Sequence, residues 1–280
     1  MGFLSEVIMN FRNLEEKCNY FRNITDYRVV PNGYTLLMLD GHCFSKMIKN
    51  TFKKPFDTDF IAMMNETAKY LVEHLQGAKI AYTQSDEISI LITDFDTPKS
   101  DLLFGGRLCK INSIAASMAT SEFNRLFTKY QLEQTKTSED YRFENVIDKL
   151  LNKVKTVQFD CKCWMVPSEN DMFAHFLWRN LDCIKNSKQQ AAQTYIPHKQ
   201  LVGKTADEGI ALLKEKNGID WNDYSDGMKY GRLIFKKEIE LEWNGIPYKR
   251  KKFVVENGFP LNEEGNKEKF INLIKYKDKL

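Results

Sequence analysis

Lys79 to Thr93 reads KIAYTQSDEISILIT, two apolar, β-branched runs on either side of Gln84-Ser85-Asp86. Runs of this length and composition, joined by so few polar residues, predict two strands and a tight turn, Lys79–Thr83 and Ile88–Thr93. Upstream, Pro31-Asn32-Gly33 precedes Tyr34–Leu39 (YTLLML), a further strand that ends at Asp40-Gly41. Between them, Asp57 or Thr58 caps a helix in which Phe60, Ile61, Met64, Ala68, Leu71, Val72 and Leu75 recur at helical spacing, with Gly77 just beyond. A second helix, capped by Ser100 or Asp101, carries Leu103, Leu108, Ile111, Ile114, Ala115, Met118, Leu126 and Phe127, and Lys155–Cys161 supplies a fourth strand.

The order β-α-β-β-α-β specifies an α+β fold, the ferredoxin-like antiparallel sheet with flanking helices, with a polar insertion over Gln131–Lys149. In that unit the first and third strands lie side by side and antiparallel. Asp40 closes the first, while Asp86 and Glu87 open the third, so acids 46 positions apart converge at one rim. Downstream, Phe173, Phe176, Leu177, Asn180 and Ile184 mark a helix, and Ala206–Lys214 another. Leu233–Trp243 alternates apolar residues with Glu238, Glu240 and Glu242, and Asn244-Gly245 turns it into Ile246–Val255, a β-hairpin extension. The expected organisation is a palm-like catalytic domain over residues 1–165, with an N-terminal helix, and a non-independent helical and hairpin extension over 166–280. The Lys- and Glu-rich tail from Asn262 reads as a solvated end or short surface helix.

The 280 residues suffice for a sizeable core. A net charge of +3 makes no case for nucleic acid by itself, and 42% hydrophobic residues exclude a disordered chain. No apolar stretch approaches the roughly 20 residues of a membrane span, and Glu6 interrupts the N-terminal apolar run, so a cytoplasmic protein without a membrane partner is expected. The six cysteines are scattered, and Cys161-Lys162-Cys163 is not a C-x-x-C zinc knuckle, which predicts reduced thiols. The common phosphate loops are absent from the sequence.

Carboxylates held together repel unless a cation joins them, and Mg²⁺ takes hard oxygen ligands, often with substrate phosphates. Two such ions activate an attacking oxygen and stabilise a leaving pyrophosphate, the arrangement of polymerase palms and nucleotide cyclases. Spacing alone leaves this open against three solvated turn acids. The turn Gly41-His42-Cys43-Phe44-Ser45 offers backbone N–H groups to a triphosphate. Lys54 precedes Pro55, and Arg107 and Lys110, three apart, share a helix face, so each is a candidate phosphate contact or a solvated cation.

Leu39-Asp40-Gly41-x-x-Phe44, Phe52-x-Lys54-Pro55-x-Asp57, Ala81-Tyr82-x-Gln84-Ser85-Asp86-Glu87, Arg107-x-x-Lys110 and Ala116-Ser117 together resemble the tRNA-histidine guanylyltransferase superfamily. Phe159-Asp160, Pro167-Ser168, Trp178-Arg179-x-x-Asp182-Cys183 and Lys229-Tyr230-Gly231 extend the resemblance over roughly residues 11–237. It implies a polymerase-like palm that adds nucleotides to the 5′ end of tRNA, in the 3′-to-5′ direction. Asp40, Asp86 and the Gly41 carbonyl would ligate two Mg²⁺ ions, with Glu87 and Ser85 supporting the rim. His42, Cys43, Phe44, Ser45, Lys54, Arg107 and Lys110 would hold nucleotide. ATP would activate a 5′-monophosphate as an adenylylated end, from which the 3′-hydroxyl of GTP or another NTP displaces AMP. The resemblance further implies a homotetramer built as a dimer of dimers.

One departure from the pattern bears on specificity. Eukaryotic enzymes that add one guanosine to tRNA-histidine carry His-Ile-Asn-Asn-Leu-Tyr after the Asp-Cys pair; here the segment is Ile184-Lys185-Asn186-Ser187-Lys188-Gln189. It looks more like the Thg-like branch, which repairs truncated 5′ ends by templated addition, with Arg179, Lys185 and Asn186 as candidate RNA contacts. Guanosine addition to tRNA-histidine is the alternative, and a palm-fold cyclase or a non-catalytic RNA-binding module stand in other classes. Lys249-Arg250-Lys251-Lys252 reads either as an RNA contact or as a charged edge strand.

Overall fold

A computed structural model describes residues 11–42, 44, 47, 51–136 and 156–275. Helix α1 (Leu14–Asn23) is capped by Asn13, whose side chain accepts from the Glu16 amide, and buries none of its residues. Then follow β1 (Tyr34–His42), α2 (Thr58–His74), β2 (Ala78–Gln84), β3 (Glu87–Ile92), α3 (Leu108–Lys136), β4 (Gln158–Val166) and α4 (Glu169–Tyr195). The short α5 (His198–Leu201), α6 (Ala206–Asn217) and α7 (Asp226–Tyr230) lead to β5 (Arg232–Trp243), β6 (Ile246–Asn257) and α8 (Asn266–Ile274).

The expected β-α-β-β-α-β order is present, and the strands form one antiparallel sheet in the order β4-β1-β3-β2-β5-β6. Because helices cover both faces, the central strands are apolar on both sides instead of alternating with polar residues. On β1, Leu37 and Leu39 pack toward α2 and α3, while Leu36 packs toward α4 and α8. A third cluster joins Ala191 and Ile196 at the end of α4 to Leu213 of α6 and to Trp221. Asp57 caps α2 by accepting from the Asp59 and Phe60 amides, as its position predicts.

Several elements depart from the sequence reading. β1 does not end at Asp40: it runs on to His42 because β4 pairs with it as far as His42 opposite Gln158, two residues beyond the last β1–β3 pair. The fourth strand is Gln158–Val166, not Lys155–Cys161; Lys155 lies outside the described residues, and inward packing continues through Cys163 and Met165. Neither Ser100 nor Asp101 caps α3. Left-handed backbone at Phe104, Gly105 and Gly106 breaks the chain there, and the helix starts at Leu108. It runs through Lys136 into the span expected as an insertion, Gln131–Lys149, of which 137–149 are outside the described residues.

The C-terminal hairpin joins the same sheet, with Ile80 of β2 opposite Phe235 of β5. The tail forms a short helix, one of its two expected forms, and it is anchored on the core: α8 buries Phe270 fully and Ile271 almost so, against Phe173 and Phe176. Residues 276–280 fall outside the described set. Among the described residues no helix is long and apolar enough to cross a membrane.

Candidate active site

Asp40 faces Glu87 across the β1–β3 ladder and Asp160 across the β1–β4 ladder. Directly opposed residues on antiparallel strands project from one face with Cβ atoms about 4.5–5.5 Å apart, so three carboxylates form a row across the sheet. Asp86 stands beside that row in the two-residue turn between Gln84 and Glu87. Ser85 takes a left-handed backbone there (φ 43°), and its Oγ donates to Asp86 Oδ1 at 2.9 Å. The Gly41 amide donates to the Asp86 carbonyl at 3.1 Å, tying the turn to β1. A Cβ at Gly41 would lie 2.4 Å from the Phe44 ring, so the residue after Asp40 has no room for a side chain.

The electrostatics of this rim are those of a site short of positive charge. Burial, and then the Asp160 charge, hold the Asp40 carboxyl above its ordinary value. Burial also raises Asp86, partly offset by the Ser85 hydroxyl, with the Asp40 charge adding to the rise. Glu87 is pushed up to about 7 by burial, in spite of Arg179 beside it. A divalent cation would reverse these penalties, and a set of carboxylate and carbonyl oxygens suits Mg²⁺. Among the described residues no three His, Cys, Asp or Glu side chains converge closely enough to hold an ion alone. Asp40, Asp86 and the Gly41 carbonyl therefore fit Mg²⁺ only as a partial shell completed by ligand oxygens and water.

Arg179 is not placed to meet RNA. It is buried on α4, with Nε donating to Glu87 Oε1 and Nη2 to Asp182 Oδ2, both at 2.7 Å, and its guanidinium stacked 4.2 Å from the Trp178 ring centroid. The helix that covers the sheet brings it there, since each turn of α4 that buries Phe176 and Cys183 also turns Arg179 inward. Lys185 and Asn186 are exposed about two turns further along, and Asn186 Nδ2 donates to Asp182 Oδ2 at 3.0 Å.

The candidate phosphate contacts are dispersed. Lys54 is exposed in the loop before α2. Arg107 does not share a helix face with Lys110, because it precedes α3 in extended backbone (φ −66°, ψ 107°). Its Nε donates to Asp26 Oδ1 at 2.9 Å, which holds Asp26 below the usual carboxylate range. Lys110 is exposed with its Nζ 5.0 Å from the Phe104 ring centroid. His42 is exposed at the end of β1, whereas the Phe44 side chain is buried among Phe60, Phe123 and Phe159 and leaves only its backbone for a ligand. Cys43 and Ser45 lie outside the described residues.

Behind the β2–β3 turn opens a narrow cleft walled by Phe52, Phe56 and Phe60 and edged by Ser85, Asn186 and Arg232. It is a mostly apolar slot with a few polar groups that reaches Gln84 and Ser85 of the β2–β3 turn, the usual character of a small-molecule site. Sequence reasoning gave no role to Asp160, Asp182 or Arg232. The Asp160 role follows from the β4 register, and the other two depend on how α4 and β5 turn.

The family model for tRNAHis guanylyltransferase matches residues 15–167. An uncharacterized protein of Acanthamoeba polyphaga mimivirus is 30% identical over 227 residues, covering 78% of this chain and 75% of that protein. The tRNA(His) guanylyltransferase of Saccharomyces cerevisiae is 27% identical over 245 residues, 82% of this chain and 94% of the yeast protein. Among solved structures, a bacterial tRNA(His) guanylyltransferase-like protein in complex with ATP superposes with a TM-score of 0.75 at 27% identity, covering 95% of this chain and 100% of the other. One in complex with GTP gives 0.70 at 26% identity, with 94% and 99% covered.

Proposed function

The chain belongs to the tRNAHis guanylyltransferase family and is a nucleotidyltransferase, and on that premise we propose that it adds nucleotides to the 5′ end of truncated tRNA in the 3′-to-5′ direction, choosing each by the opposing base. The observation that carries the chemistry is the rim in which Asp40 faces Glu87 while Asp86 sits in the adjoining turn, whose Ser85 edges an apolar-walled cleft. Asp40, Asp86 and the Gly41 carbonyl would hold two Mg²⁺ ions with the substrate phosphates. When bound, these ions offset triphosphate charge and lower the pKa of the attacking hydroxyl. Glu87, held by Arg179, supports the rim opposite Asp40. The cleft takes the nucleoside, and the backbone after Gly41 takes the triphosphate.

ATP activates a 5′-monophosphate by forming an adenylylated end with loss of pyrophosphate; the 3′-hydroxyl of the incoming NTP then displaces AMP. A 5′-triphosphate end skips the first step. Repair is favoured over guanosine addition to tRNA-histidine because the part of α4 that edges the cleft, Asn186, Ser187 and Gln190, lies within or beside a segment without the imidazole and phenol of the eukaryotic pattern. Selection then falls to base pairing, since a mismatched nucleotide leaves polar groups unpaired. The working unit is a dimer of dimers, so that one tRNA is shared between subunits, which light scattering with and without tRNA checks.

A non-histidine tRNA lacking its first nucleotide, incubated with Mg²⁺ and four NTPs, tests the reading. Changing the opposing base from C to A should switch incorporation from G to U. Persistent G addition, or activity confined to full-length tRNA-histidine, would instead establish the guanylyltransferase reaction; a cyclic nucleotide product would establish a cyclase.

A further inference from the structure

Trp178 stands on α4 with 55% of its surface exposed, next in sequence to the buried Arg179. One face of its indole is taken: the Arg179 guanidinium lies over the ring, 4.2 Å from the centroid, and the His175 ring stands 6.0 Å away at 67°. A flat ring carries most of its surface on its two faces, so with one covered this exposure leaves the other open. Both supports are fixed. Arg179 is held by Glu87 and Asp182, and His175 is buried against Trp164 and Ser89. The guanidinium that stacks on Trp178 donates to Glu87 Oε1 at 2.7 Å, and its charge reaches Asp40. A single side chain therefore separates the indole from the carboxylate rim.

The surroundings of Trp178 select what stacks on it. A protein partner would need a contiguous apolar patch, which α4 does not offer: Leu181 is a turn away, and Tyr195, its remaining exposed large apolar residue, ends the helix. The exposed neighbours are cations instead. Lys185 follows seven residues on, on the same helix face, and Lys162 shares a sheet face with Trp164, whose ring packs on His175 at 5.2 Å. An open aromatic face with lysines beside it suits a nucleobase and its phosphates. That base is not the one assigned to the cleft, because the cleft takes Cys183, Ser187 and Gln190 from α4, which lie on a different face of the helix from Trp178. Stacking accepts any of the four bases, in keeping with selection by base pairing.

We propose that Trp178 is an RNA-binding residue, the platform on which the base at the 5′ end of the RNA stacks when that end is brought to the rim. This rests on the reading that the chain acts on RNA 5′ ends, so the test measures binding apart from nucleotide addition. An RNA hairpin whose 5′-terminal base is a fluorescent adenine analogue is titrated with the full chain, with Mg²⁺ and without NTPs. The wild type should quench the analogue at the 5′ end and leave it bright in mid-stem. Trp178→Ala, with its melting transition intact, should abolish the quenching and bind the hairpin about tenfold weaker. Trp178→Phe should keep a large part of both, and GTP binding by calorimetry should be the same in all three. A folded Trp178→Ala that quenches and binds as the wild type does overturns the proposal, as does an equal loss of RNA and GTP binding. A lower mass by light scattering with RNA affinity unchanged also overturns it and gives the face to a second copy of the chain. If Trp178→Ala does not fold, the wild type and Trp178→Phe decide: a bound 5′-end analogue that stays bright overturns the stacking. A wild type that binds no RNA hairpin at all removes the underlying reading, and the proposal with it.

Discussion

Arg179 and Glu87 form a buried ion pair, Nε to Oε1 at 2.7 Å, although 92 positions separate them. Since Glu87 is the cross-strand partner of Asp40, a helix of the C-terminal half braces the acid that faces Asp40. Removing one partner of a buried pair leaves an uncompensated charge, at a cost of about 3–5 kcal/mol. Arg179→Met should therefore destabilise the protein by that order in urea titrations. Combined with Glu87→Gln it should recover a large part, and additive losses would show that the pair is not coupled.

Asp40→Ala or Asp86→Ala removes an oxygen from the proposed Mg²⁺ site, which has few protein ligands. Nucleotide addition should fall by about a hundredfold or more, while the melting temperature holds or rises as a repelling charge is lost. Purified variants that add nucleotides at near-normal rates would contradict the assignment of these acids.

Gly41→Ala would drive a methyl group into the Phe44 ring. Overpacking of this kind costs about 1–3 kcal/mol. Thermal denaturation should show the loss, and Phe44→Leu in the same chain should relieve part of it and restore part of the activity.

His175 predicts an acid-side loss of stability. It is buried against Trp164 with a ring nitrogen 3.1 Å from Ser89 Oγ, and burial lowers its pKa to about 4. Between that value and the ordinary 6.5 the folded chain binds fewer protons than the unfolded one. The stabilisation is therefore complete above pH 6.5 and lost as pH falls toward 4, up to about 3 kcal/mol from this residue. The difference in melting temperature between wild type and His175→Gln should shrink between pH 7 and pH 5; a constant difference would exclude His175 as the source.

Phe270 ties α8 to α4 through Phe173 and Phe176. Phe270→Ala should cost about 3–5 kcal/mol, the range for a buried phenylalanine. Loss of a single unfolding transition with no change in stability of the remainder would show that the tail is not part of the core.

The catalytic half of this molecule was legible in local sequence because its signals are local. Apolar runs bounded by turn residues define β1, β2 and β3, and the β-α-β-β-α-β topology then brings Asp40 to Glu87, with Asp86 in the β2–β3 turn. The Asn244-Gly245 hairpin follows in the same way, since turn chemistry and strand pairing act over a few residues. Other placements have no local signal. Arg107 and Lys110 read as neighbours on one helix face until left-handed backbone at Phe104, Gly105 and Gly106 separates them and hands Arg107 to Asp26. The pairing of Asp160 with Asp40 depends on β4 running from Gln158 to Val166, where a shift of one residue would send Asp160 to the opposite face. Arg179 turns inward because α4 rotates to bury Phe176 and Cys183, and Arg232 is left with an unspent donor among the described residues because α2 and α7 claim its other nitrogens. Sequence by itself determined the order of elements and the rim acids, through periodicity and turn geometry; which charges are buried, paired or left free was decided only when elements far apart in the chain packed together.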